Sequence, residues 1–279
     1  MDHRGASAGS TKEKSASSSW PAWRTAATAL LIAALWCGLG SPARAEARQD
    51  YCAYGDGTVL MFIDRTTDYD KRDLEILTSG LDSIFAELRP GERFVLHTIT
   101  GDYTKSERMF DRCVPGCPDT GLLEWMVGTC KPVIARADNR QFRVDLAATL
   151  RNMLANVEQS DHSAIVSTIA EVSHAYAGKK LRHVIVYSDL LENSKFLPWS
   201  RFRSLDPTRA MAIVRQDGIK ADLRGASVRV FGFGRIHDPG RAGLPPDVER
   251  RIAKFWTLFF DDAGASSVDI GLWYAGSRG

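Results

Sequence analysis

Apolar positions along this chain fall into two repeating patterns: short continuous runs and stripes at helical spacing. Val59-Leu60-Met61-Phe62-Ile63 and His183-Val184-Ile185-Val186-Tyr187 have the length and composition of strands buried on both faces. These runs predict strands over 58–64 and 182–188, with others at 93–100 and 227–233, a short one near 106–112 and an edge strand over 268–273. Between them lie amphipathic stretches. Leu74, Leu77, Leu81, Ile84, Phe85 and Leu88 share one stripe and predict a helix from about 70 to 88, ended by Arg89-Pro90-Gly91. The same spacing predicts helices over 142–157 and 162–176. Asp206-Pro207 opens another over 207–217, with cap and first-turn residues in their favoured places. Pro245-Pro246-Asp247 opens the last, which turns Val248, Ile252, Phe255, Trp256, Phe259 and Phe260 inward and is closed by Gly264.

Strands alternating with helices imply right-handed crossovers and a mostly parallel sheet with helices on both faces, an α/β three-layer sandwich. Residues 56–275 suffice for one such domain, preceded by a short segment, 46–55, and carrying a Cys-containing insertion at about 111–132.

The first 45 residues read differently. A Ser/Ala-rich start bearing Lys12, Lys14 and Arg24 leads into the apolar run Ala26 to Gly40. Ala43-Arg44-Ala45 then fits the small-x-small cleavage rule, so a secretory signal peptide is expected, with the mature chain starting near Glu46. The run is shorter than the roughly 20 residues of a spanning helix. Trp36 is too bulky for a lipid attachment signal at Cys37. No other stretch is apolar enough to span a membrane.

Export changes the reading of the cysteines. Cys52, Cys113, Cys117 and Cys130 remain after cleavage, an even number that favours two disulfides, with three connectivities open. Zinc is the poorer alternative, because no His stands near Cys113-x3-Cys117 and Cys130. Lys and Arg total 36 against 34 Asp and Glu, a balance that gives no support to nucleic-acid binding. The predicted compartment is the periplasm or the exterior.

The candidate chemistry stands where the two best strands end. The first runs into Asp64-Arg65-Thr66-Thr67-Asp68 and the other into Ser188-Asp189. Ligands of open α/β sheets bind beyond such carboxyl ends, and hard oxygens suit Mg²⁺, Mn²⁺ or Ca²⁺. On these residues the chain resembles a von Willebrand factor type A (vWA) domain, over roughly residues 56–275. The family's metal-ion-dependent adhesion site has Asp-x-Ser/Thr-x-Ser after the first strand, a Thr or Ser from a second loop and an Asp from a third. The resemblance implies Asp64 and Thr66 in the first loop, Ser163 in the second with Ser160 as fallback, and Asp189 in the third. Asp68 stands where the family has Ser. It either joins the ligands, adding negative charge that disfavours an acidic partner, or caps the helix that starts near residue 70. Ser188 reads as loop support, and His162 adjoins the second loop.

The resemblance thus implies an exported, non-enzymatic binding module that engages a protein partner through a divalent cation. Two alternatives remain. In one, the same fold carries a vestigial, metal-free centre whose Asp and Thr only satisfy loop amides. In the other, the chain is a Mg²⁺-dependent phosphohydrolase, but its second Asp would fall at Thr66. The dinucleotide fingerprint fails at His237 after Gly232-Phe233-Gly234, and there is neither a nucleophile elbow nor a Walker loop.

Overall fold

The computed structural model describes residues 49–118, 130–158, 160–235 and 243–274. The expected signal peptide, 119–129 of the expected insertion and His237 lie outside the described residues.

Six strands form one sheet: β1 (Gly57–Asp64), β2 (Arg93–Ile99), β3 (Arg108–Cys113), β4 (Lys180–Tyr187), β5 (Ser227–Phe231) and β6 (Ser267–Ile270). Their spatial order is β3-β2-β1-β4-β5-β6. Every pair is parallel except β2 with the edge strand β3. The helices are α1 (Lys71–Glu87), α2 (Pro132–Ala155), α3 (Ile165–Ala175), the single turn α4 (Trp199–Phe202), α5 (Pro207–Gln216) and α6 (Pro246–Asp262).

Alternation along the strands divides the core. Leu60 and Phe62 of β1 join one apolar cluster with Val184 and Val186 of β4 and the inward residues of α3, α5 and α6. Val59, Met61 and Ile63 join a second cluster with Ile185, Tyr187 and the inward residues of α1 and α2. Helices therefore pack on both faces, and the α/β sandwich expected from the strand–helix alternation is what the chain forms. At Gly80 of α1 an added Cβ would stand 2.6 Å from the Phe231 ring, so this glycine lets the helix sit close on the sheet.

Several expectations are corrected. α2 begins ten residues before the predicted 142, with Pro132 in its first turn. Its first turns bury only Ala135 and Phe142, so the apolar stripe that marks a helix is too thin there to be read. Leu74, assigned to the inward stripe of α1, is 41% exposed. Asp68 does not cap α1. Asp70 does, accepting from the Asp73 amide while the Asp73 carboxylate accepts from the Asp70 amide. This reciprocal capping box satisfies two of the first-turn donors that a helix leaves open.

Both expected disulfides are present, as Cys52–Cys113 and Cys117–Cys130. The first ties the segment before β1 to the end of edge strand β3. Among the described residues no helix is long and apolar enough to cross a membrane.

Candidate functional site

The sheet order reverses at β1. The chain passes from β1 to β2 on one side and later places β4 on the other, so the tips of β1 and β4 flank the switch point. Ile63 is in register with Tyr187, which sets Asp64 beside Ser188 at the carboxyl edge.

Asp64 is fully buried and forms the hub. Its Oδ1 accepts from the Thr66 amide at 3.0 Å and from Thr66 Oγ1 at 2.7 Å. Its Oδ2 accepts from Ser188 Oγ at 2.8 Å and from Ser163 Oγ at 3.4 Å. Asp189 is buried next to it and accepts from the Leu191 amide at 3.0 Å. Burial, and then the charge of Asp189, push the Asp64 carboxyl above its ordinary range, against the Thr66 and Ser188 bonds that pull it down.

Four of the five predicted residues, Asp64, Thr66, Ser163 and Asp189, therefore converge. Asp68 does not join the hydrogen bonds on Asp64. It is exposed and lines a cavity of about 210 Å³ with Thr66, Glu158, Ser160 and Asp161. Ser160, the fallback for the second loop, accepts from the His162 amide, and His162 is exposed with Nδ1 3.2 Å from the Asn193 carbonyl. Neither residue reaches Asp64 through these bonds. Ser188 bonds Asp64 directly and also accepts from the Leu190 amide at 2.9 Å. It closes the third loop onto the first.

Sequence reading missed the residues that hold these loops. Asn193 pairs with Ser163 through both backbone bonds, at 3.1 and 2.9 Å, and its Oδ1 accepts from the Trp199 amide. Glu192 is buried, and its Oε2 accepts from the Val166 amide at 2.9 Å, capping an α3 whose own N-cap residue, Ala164, supplies no side chain for the purpose. Leu190 adopts φ 61°, a left-handed conformation costly for a branched side chain, and its carbonyl accepts from Trp256 Nε1 of α6 at 2.9 Å. A Glu after two leucines carries no motif, so nothing in the sequence singled it out.

Burial pushes the Glu192 carboxyl up to about 7, against bonds from Ser194 and from the Val166 and Ile165 amides that lower it. An unfolded Glu titrates near 4.5. Between those values the unfolded chain gives up the proton and the folded chain keeps it. Stability therefore falls as pH rises through this window and levels off above it. Glu192→Gln keeps an acceptor for Val166 and removes the titration. It is expected to flatten the fall by up to about 3 kcal/mol in thermal melts between pH 4.5 and 7.5. A slope equal to wild type would show that folding does not raise the Glu192 carboxyl.

The donor set at the hub is two carboxylates and the hydroxyls of Thr66, Ser163 and Ser188. Among the described residues no three His, Cys, Asp or Glu side chains gather as metal ligands. An ion here would need the hydroxyls. Each hydroxyl has one proton and two lone pairs. Thr66 and Ser163 spend the proton on Asp64, which leaves lone pairs for a cation and lets the carboxylate orient them from behind. Ser188 also accepts from Leu190, so less of its capacity remains. The residues fit a hard, oxygen-seeking ion better than a soft one.

Beside the hub a wider groove of about 870 Å³ runs along α3. Its floor includes Ala164, Ser167 and Ala170, and its rim includes Tyr103, Lys105 and Lys195. Glu158 and Ser160 line both this groove and the smaller cavity. Compared with known proteins, the chain matches no family model and no curated protein.

Proposed function

We propose that this protein is a vWA-like binding module, exported to the periplasm or secreted, that engages a protein partner through a divalent cation at the carboxyl edge of its sheet. The observation that carries this reading is the convergence of Asp64, Thr66, Ser163 and Asp189 from three loops at the switch point. Two buried, mutually repelling carboxylates are costly unless a cation offsets them. Thr66, Ser163 and Asp189 are the nearest candidates to hold Mg²⁺, Mn²⁺ or Ca²⁺, with Asp64 behind them. Asp68, exposed next to Thr66, adds charge at the rim. Two disulfides fit an extracellular or periplasmic protein.

One observation favours a metal-free interaction module instead. Both Asp64 oxygens already accept hydrogen bonds from within the chain. Thermal melting of the purified protein separates the two readings. With chelator removed, Mg²⁺, Mn²⁺ or Ca²⁺ at a hundredfold excess over its dissociation constant stabilises the native state by about 2.7 kcal/mol. For a domain of this size that corresponds to a rise of roughly 5–10 °C in Tm. No rise with any of the three ions at millimolar concentration would leave the metal-free module as the reading.

A further inference from the structure

Arg235 lies just past β5, and its side chain is wholly buried. Its guanidinium sits 4.8 Å from the centre of the Tyr69 ring and 4.8 Å from that of Tyr187, and the two rings stack on each other with centroids 5.6 Å apart. Nε donates to the Gly232 carbonyl at 3.1 Å, Nη2 reaches Thr67 Oγ1 at 3.5 Å, and Nη1 stands 3.6 Å from Asp73 Oδ2. Gly232 has φ 87°, and a Cβ there would press on the Tyr187 ring at 2.9 Å and on Arg235 Nε at 3.2 Å, so the cage requires this glycine.

The cage is built against the candidate site. Tyr69 Oη donates to the Asp64 backbone carbonyl, and Tyr187 immediately precedes Ser188 and Asp189. Burial alone would depress the Arg235 guanidinium, but Tyr69, Asp189, Tyr187 and Asp73 outweigh it and push it up. A buried guanidinium is always charged. Asp73, the carboxylate that Arg235 contacts, is buried, and so are Asp64 and Asp189.

We infer that Arg235, in contact with Asp73 and caged by the Tyr69 and Tyr187 rings that abut the Asp64 and Asp189 loops, is a resident counter-charge beside the candidate site, and that it sets how tightly the site takes a divalent cation. The inference rests on the cation reading above. A fixed positive charge in a low-dielectric surrounding offsets part of the carboxylates' charge when no ion is bound and opposes a second, mobile cation when one arrives. The site is thereby weakened as a metal trap and kept folded without metal.

Calorimetric titration of Mn²⁺ and Mg²⁺ into wild type, Arg235→Met and Arg235→Lys tests this. Met keeps an unbranched apolar stem between the rings and removes the charge, whereas Lys keeps the charge. We expect Arg235→Met to bind at least about tenfold more tightly than wild type and Arg235→Lys to stay within about threefold of wild type. If Arg235→Met is unfolded without metal, refolding on addition of Mn²⁺, followed by circular dichroism, supports the inference, because the ion then replaces the lost counter-charge. Failure to refold overturns it. Wild-type binding with an equal or weaker affinity in a folded Arg235→Met overturns the inference and leaves the cation reading standing. Binding by none of the folded proteins overturns both.

Discussion

Removal of the Cys52–Cys113 bridge is expected to destabilise the domain by about 4 kcal/mol, against about 3 kcal/mol for Cys117–Cys130. The difference follows from the loops the bridges close, 61 residues in the first case and 13 in the second. A longer loop has more freedom in the unfolded chain, and a cross-link removes more of it. Placement adds to the difference. Cys113 ends β3, an edge strand held to the sheet by β2 alone. Arg93 grips Asp111 of β3 with two bonds of 2.7 Å, and Arg108 reaches the same carboxylate at 3.0 Å. These ion pairs are partly exposed and individually weak, so the bridge is the stronger tether of that edge. Cys52→Ala/Cys113→Ala should lower Tm by roughly 10 °C, given about 2–4 °C per kcal/mol at this size. Cys117→Ala/Cys130→Ala should lower it less. Differential scanning calorimetry of both pairs decides the matter, and a larger loss from the second pair would show that the 61-residue loop retains structure when unfolded.

The sheet and its two acidic tips were legible because each rests on contiguous residues. A run such as Val59 to Ile63 announces a strand without reference to anything distant, and the carboxylate that follows it is placed by the strand. That β1 and β4 are neighbours was a condition the sequence left open, and the pairing of the two strands supplies it. Ser163 was legible for the same reason as the tips, as a hydroxyl standing just before a helix. The cage and the loop clamp were not legible. Arg235 meets Thr67 across 168 positions and Glu192 meets Val166 across 26, and no periodicity encodes such meetings. The disulfide pairing is a further case, since the even count gave the number of bridges and only the position of β3 beside β2 brings Cys113 to Cys52. Asp68 failed as a helix cap for a local reason. Two carboxylates, Asp68 and Asp70, stand near the start of α1, and the one with Asp73 three residues beyond it completes a capping box.

Asp64→Asn is expected to leave the metal-free protein at least as stable as wild type at neutral pH and to abolish its response to divalent cations. The two effects have opposite signs and one origin. Burial and the Asp189 charge hold the Asp64 carboxyl above its ordinary value of 3.8. An acid raised in the folded state loses stability as pH climbs from its unfolded value through its folded one, because the unfolded chain releases the proton first. A neutral amide escapes that loss. It also fits locally, since its oxygen can still accept from the Thr66 amide and hydroxyl, and a serine hydroxyl can turn to accept from its NH₂. The same change removes the charge that would attract the ion and reverses the hydrogen bonds that orient Ser163 and Ser188. The gain of about 2.7 kcal/mol at a hundredfold excess of cation should therefore vanish. Paired melts of wild type and Asp64→Asn, with chelator and with Mn²⁺, read both effects at once. A mutant less stable than wild type under chelator would mean that the carboxylate's bonds to Thr66, Ser163 and Ser188 outweigh its burial. Asp64 would then be a structural anchor whose charge needs no ion, and the buried pair would no longer argue for one.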